Sequence, residues 1–172
     1  MDTIDIIIIS VVALLLGGGT LYVLFSKNDN EKNTAHANAN NEATPVKVQL
    51  QAYERLLILT DRIALPNLIS RVNQAGLSAK EMQSLLTQTI KDEFNYNITQ
   101  QIYVSADAWS AVKNLKEQNM LIINQLANTL PPNASGLDLN KMLLEYLMSD
   151  KKGVLHEVVG DVLSYEAKKL IS

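Results

Sequence analysis

The chain has no cysteine among its 172 residues. That excludes a disulfide scaffold, a thiolate metal site, a cysteine nucleophile and a lipidated N-terminal cysteine. Strand signals are nearly absent as well, because no hairpin dipeptide stands between alternating β-branched residues. No phosphate-binding glycine loop, nucleophile elbow, metalloprotease helix motif or dinucleotide fingerprint occurs. An excess of basic charge is missing too. The net charge is -3, and residues 47–172 hold 13 of the 15 Lys/Arg and 13 of the 18 Asp/Glu. A neutral body is a poor polyanion binder, which disfavours nucleic acid as a partner. These absences argue against an enzyme and imply no cofactor and no metal.

What is present divides the chain into three parts. Residues 1–25 contain the uncharged run Ile6 to Phe25, IIIISVVALLLGGGTLYVLF. Twenty residues at 1.5 Å rise span about 30 Å, the thickness of a hydrocarbon core. The acidic start MDTID lacks the basic flank of a cleaved signal peptide, so the segment reads as a retained transmembrane anchor. Lys27 and Lys32 follow it, and no Lys or Arg precedes it. The positive-inside rule then places the remainder in the cytoplasm. Gly17 to Gly19 could support close helix pairing, but glycine is common in membrane helices.

Residues 26–46 form an Asn/Ala-rich tract closed by Pro45 and Val46. Large apolar residues are nearly missing there, so the tract cannot offset its ordering entropy and reads as a flexible linker. His36, isolated among Ala and Asn, is no metal site.

Residues 47–172 are long enough for one domain with a core and too short for two. Their periodicity is helical, which predicts an all-α bundle of five to six helices. The first spans about Val48 to Ala64, with Pro66 ending it, and its Leu56–Leu59 run is apolar over more than one stripe. Such a helix is either central or offers a second face to a partner, with Leu57, Ile58 and Leu59 as the candidate apolar face. A short helix around Asn67 to Gln74 ends at Gly76. Ser78 and Glu81 fit a capping box, and Met82, Leu85, Leu86, Ile90 and Phe94 follow at helical spacing. Ser105 can cap a helix that runs to Pro131 and carries Trp109, Val112, Leu115, Ile122, Ile123 and Leu126 inward. Two further helices cover about Leu137 to Met148 and Gly153 to Ile171, the latter with Val158, Val159, Val162 and Leu163 inward.

The densest polar and aromatic stretch is Glu93 to Ser105, EFNYNITQQIYVS. Glu93, Asn97 and Gln100 or Gln101 share a helical face and could meet Arg55, Arg62 or Arg71. Together with Tyr53, Tyr96, Tyr103 and Trp109 they form either a ligand pocket or a junction in which buried polar groups satisfy backbone atoms. The residue types favour the junction, because amide-rich clusters lack a nucleophile and base. His156 has no second His nearby, so a metal site there is disfavoured. Lys151, Lys152, Lys168 and Lys169 could lay the last helix on an anionic membrane, but its acidic residues favour bundle packing.

LQAYERLLILTDRI (Leu50 to Ile63), EFNYNITQQIYVS, Trp109, Lys113 and Lys116 resemble an uncharacterised family of small single-pass membrane proteins of Bacteroidetes-type bacteria. The resemblance runs from Val48 to the C-terminus. It implies an anchor, a connector and a helical body at an inner membrane, and no activity or functional residue. The connector here is Asn/Ala-rich where that family's is strongly charged. Two functional expectations follow. The first is a membrane-anchored interaction module that binds a protein partner or itself. The alternative is a small-ligand-binding or enzymatic domain with its pocket at Glu93 to Trp109.

Overall fold

The computed structural model describes residues 44–149 and 155–171. The expected anchor and residues 26–43 of the expected linker lie outside the described residues. Among the described residues, no helix is long and apolar enough to cross a membrane. Among the described residues there are six α-helices and one 3-10 turn. They are α1 (Pro45–Ile63), α2 (Leu65–Val72), α3 (Ala79–Tyr96), the 3-10 turn (Ile98–Ile102), α4 (Ala106–Thr129), α5 (Gly136–Ser149) and α6 (Leu155–Lys169). The all-α expectation holds at this level.

Pro45 opens α1 rather than closing the linker. A proline in the first turn lacks only an N–H that no helix partner would use. Thr44 caps the turn by accepting from the Lys47 amide at 3.3 Å. Pro66 likewise belongs to the first turn of α2, and α1 ends earlier, at an extended Ala64 (φ -55°, ψ 125°). At position 66 proline cannot donate to the Arg62 carbonyl, so the helix breaks before it. Gly76 then turns the chain with φ +85°, a conformation that favours glycine.

The capping box at the start of α3 forms as its sequence implies. Ser78 Oγ accepts from the Glu81 amide at 3.3 Å, and Glu81 Oε2 accepts from the Ser78 amide at 2.8 Å. A second, unanticipated box opens α5, where Ser135 and Asp138 exchange the same bonds at 2.9 and 3.2 Å. Two backbone bonds tie the two helix starts together: Ala79 N–H to Ala134 C=O at 2.9 Å and Gly136 N–H to Leu77 C=O at 2.7 Å. Both capped ends are thereby held in one antiparallel bridge.

α1 is the central helix, packed against α2, α3, α4, α6 and the 3-10 turn. The core runs through Leu56, Leu59 and Ile63 of α1, Met82, Leu86 and Ile90 of α3, Leu115 and Ile123 of α4, Leu139 and Leu143 of α5, and Leu163 of α6. Of the candidate apolar face, Leu59 is fully buried and Leu57 half-buried, and only Ile58 is largely exposed. The multi-stripe character of α1 therefore reflects its central position. Val158, expected inward, is exposed, because the buried line of α6 passes through Val159 and Leu163.

Candidate functional site

The break before Pro66 leaves the last four carbonyls of α1 without helical partners beyond the turn. Each of them finds one. Ala64 N–H reaches the Thr60 and Asp61 carbonyls at 3.1 and 3.3 Å. Asn67 Nδ2 also donates to the Asp61 carbonyl at 3.1 Å. Arg71 Nη2 donates to the Arg62 carbonyl at 2.9 Å. The buried Asn119 reaches over from α4 and donates to the Ile63 carbonyl at 2.7 Å. Helix breakage and polar clustering at this corner thus share one cause.

Glu93 on α3 locks the corner. Its carboxylate takes two bonds from Arg62, at 2.8 and 2.5 Å, and one from Arg71 at 2.8 Å. Chiefly Arg62, and then Arg71, hold the Glu93 carboxyl below the usual carboxylate range, against the opposing effect of burial. Asn97, buried at the end of α3, spends its amide on the Glu93 carbonyl at 2.9 Å. It caps its own helix.

The remaining candidate residues fall into two groups. Tyr53 is buried on α1, and its hydroxyl donates to Glu166 Oε2 on α6 at 2.6 Å and accepts from the Ser105 amide at 3.2 Å. Ser105 Oγ donates to the same Glu166 oxygen at 2.6 Å and accepts from the Ala108 amide. Burial, reinforced by Glu166, pushes the Tyr53 hydroxyl above its ordinary range. Such a phenol is a poor nucleophile at neutral pH, so this trio fastens α6 to α1 and to the start of α4. Trp109 is half-buried against Phe94, with ring centroids 5.0 Å apart, and Lys116 Nζ lies 4.7 Å from the Phe94 ring centre. Gln100 is half-buried and its amide donates to Thr99 Oγ1 at 3.3 Å. Gln101 and Tyr103 are exposed.

Glu93 and Asn97 also reach an open groove of about 660 Å³ between α1 and α3. Arg55, Ile58 and Arg62 line one wall, and Thr89, Asp92 and Tyr96 the other. Gln101, Tyr103 and Trp109 lie outside this lining. Asp92 accepts from Gln88 at 2.8 Å. Ile58 and Tyr96 are 59% and 78% exposed, and the exposed Ile98 and Ile102 follow on the 3-10 turn that packs against α1. Among the described residues, no group of three or more His, Asp or Glu could hold a metal ion.

Sequence reasoning missed Asn119, Asn67 and Glu166. The first two act on carbonyls freed by the helix break at Ala64, a residue that the sequence reading kept inside the helix. Glu166 lies 113 positions from its partner Tyr53, and no local pattern marks so distant a pair. Of the three aromatics expected to line a pocket, Tyr96, Tyr103 and Trp109, only Tyr96 stands on the groove wall.

No curated protein matches the chain, and no solved structure does. The model of a family of unknown function, DUF7935, matches residues 1–170, and the chain belongs to that family.

Proposed function

We propose that the protein is a membrane-anchored helical interaction module. On this reading Ile6 to Phe25 is a single-pass anchor in the inner membrane of a Bacteroidetes-type cell, and the body works on the cytoplasmic side. The family match spans the N-terminal segment as well as the body, which supports treating the two as one functional plan.

One observation carries the interaction reading. The polar groups facing the α1–α3 groove are largely committed within the chain: Glu93 to Arg62 and Arg71, and Asn97 to a backbone carbonyl. What the groove still offers a ligand is the apolar pair Ile58 and Tyr96 and the Arg55 guanidinium, which has no ion-pair partner among the described residues. Exposed aromatics and arginines are enriched where proteins meet. The matching occupant is a protein segment that sets an apolar side chain beside a carboxylate. The groove volume also falls in the range of small-molecule sites, which keeps a ligand-binding domain as the second reading.

The test is gentle detergent extraction of the full-length chain followed by native mass analysis. The interaction reading expects a stoichiometric protein partner that Ile58→Asp and Arg55→Glu each reduce at least about tenfold, the scale of a central contact. A chain that runs alone, or a complex indifferent to both substitutions, contradicts it. A small bound molecule lost in the same variants would establish the second reading instead.

A further inference from the structure

α5 carries two apolar faces. Leu139 and Leu143 are buried in the core, whereas Leu137, Leu144 and Met148 are exposed. At 100° per residue those three positions fall within about 40° of one another, so they form one outward stripe. Leu137 and Met148 are 69% and 89% exposed, too open to serve the core. Lys141 and Glu145 flank the stripe on one side and pair only loosely, at 3.8 Å, with both side chains mostly exposed.

The pattern is close to a palindrome about position 143, which exchanges Lys141 with Glu145 and sets Leu137 within one residue of Met148. Under a two-fold axis perpendicular to the helix there, Leu144 lies next to Leu144 of the second copy, about 3 Å apart along the helices. Leu137 meets Met148 of the second copy at each end. The flanking charges stay on the same side, so Lys141 faces Glu145 of the second copy and Glu145 faces its Lys141. Self-complementarity about one centre is the condition that a two-fold interface imposes. Oppositely charged flanks set partner choice and orientation between helices. A parallel pair would instead put the two charged flanks on opposite edges of the seam, where neither faces the other.

We propose that the chain pairs with a second copy of itself through antiparallel contact of two α5 helices. The surface is separate from the α1–α3 groove, so a partner in the groove and a second copy on α5 can be held together. Three apolar side chains make a small seam, so the pair is a reversible one at the low end of interface size.

The absence of native cysteine allows a clean test in the full-length chain, in isolated membranes, with copper–phenanthroline as oxidant. A disulfide needs Cα atoms within about 7 Å. Leu144→Cys is expected to give a cross-linked dimer. Leu137→Cys mixed with Met148→Cys is expected to cross-link to each other and not each to itself, because self-paired positions lie about 15–18 Å apart along the helices. In the Leu144→Cys background, Lys141→Glu or Glu145→Lys is expected to cut the yield about tenfold, and the double exchange to restore it. Met148→Asp, at the most exposed position of the stripe, is expected to cut it similarly without touching the core. Self-linking of Leu137→Cys and of Met148→Cys, no cross-link at any position, or no rescue by the double exchange would each overturn the proposal.

Discussion

Glu93 shows how one side chain can be read correctly in type and still be incomplete in role. Its helical face pointed to arginines, and two of them arrive. The reason they converge is the run of α1 carbonyls left open before Pro66, which one of those arginines also serves. Because the Glu93 carboxyl titrates lower in the folded chain than in the unfolded one, the native state binds fewer protons between the two values. Its contribution is therefore fully present above the ordinary carboxylate range and is lost as pH falls through the folded value. Glu93→Gln should cost about 1 kcal/mol at neutral pH, a figure held down by the half-exposed Arg62. It should also flatten the decline in stability below about pH 4.3. Urea unfolding at a series of pH values checks both. A decline as steep in the variant as in the native chain would mean that Glu93 is not the group responsible.

At the scale of elements, capping chemistry was legible where a motif is local. Ser78 with Glu81, and Ser105, mark helix starts that the structure places at Ala79 and Ala106. Ser135 with Asp138 uses the shorter acid and passed unnoticed. Proline was the element most easily misread, because it can end a helix or open one. At Pro45 and Pro66 a residue able to cap or an extended residue precedes it, and opening is the outcome. The bridge between the starts of α3 and α5 was not legible, since it depends on the backbone of Gly136 meeting Leu77. A Cβ on Gly136 would lie 3.0 Å from Met82 Cβ and 3.2 Å from the Leu77 carbonyl oxygen. Gly136→Ala should therefore destabilise by about 1–3 kcal/mol, as overpacking does. Gly160→Ala, on α6, would meet nothing nearer than 4.0 Å and should be neutral or stabilising by up to about 1 kcal/mol. Equal effects of the two in thermal unfolding would show that the bridge is not tight.

At the scale of the whole molecule, helical periodicity anticipated the class and most of the core of the longer helices, because a 3.6-residue repeat reports burial once several turns show it, but it missed Leu65, Leu68 and Ile69 of the short α2. What it could not separate was a core face from a partner face on the same helix. Leu59 and Ile58 are equally apolar neighbours, and only the placement of six helices buries one and exposes the other. The same ambiguity hid the outward stripe of α5. The polar cluster divides in the same way, into groups spent on holding helices and an exposed rim at the α1–α3 groove.

That division is the centre of the account, and one comparison tests it most directly. The full-length chain, Asn97→Ala and Ile58→Asp are unfolded in urea side by side, followed by the fluorescence of the single Trp109, half-buried against Phe94. Asn97→Ala should lose about 1–3 kcal/mol, because the part-buried Glu93 carbonyl loses its partner. Ile58→Asp should stay within about 0.5 kcal/mol of the native chain, as surface substitutions do. An unchanged Asn97→Ala together with a strongly destabilised Ile58→Asp would contradict the account, making Asn97 the residue free to bind and Ile58 part of the structure.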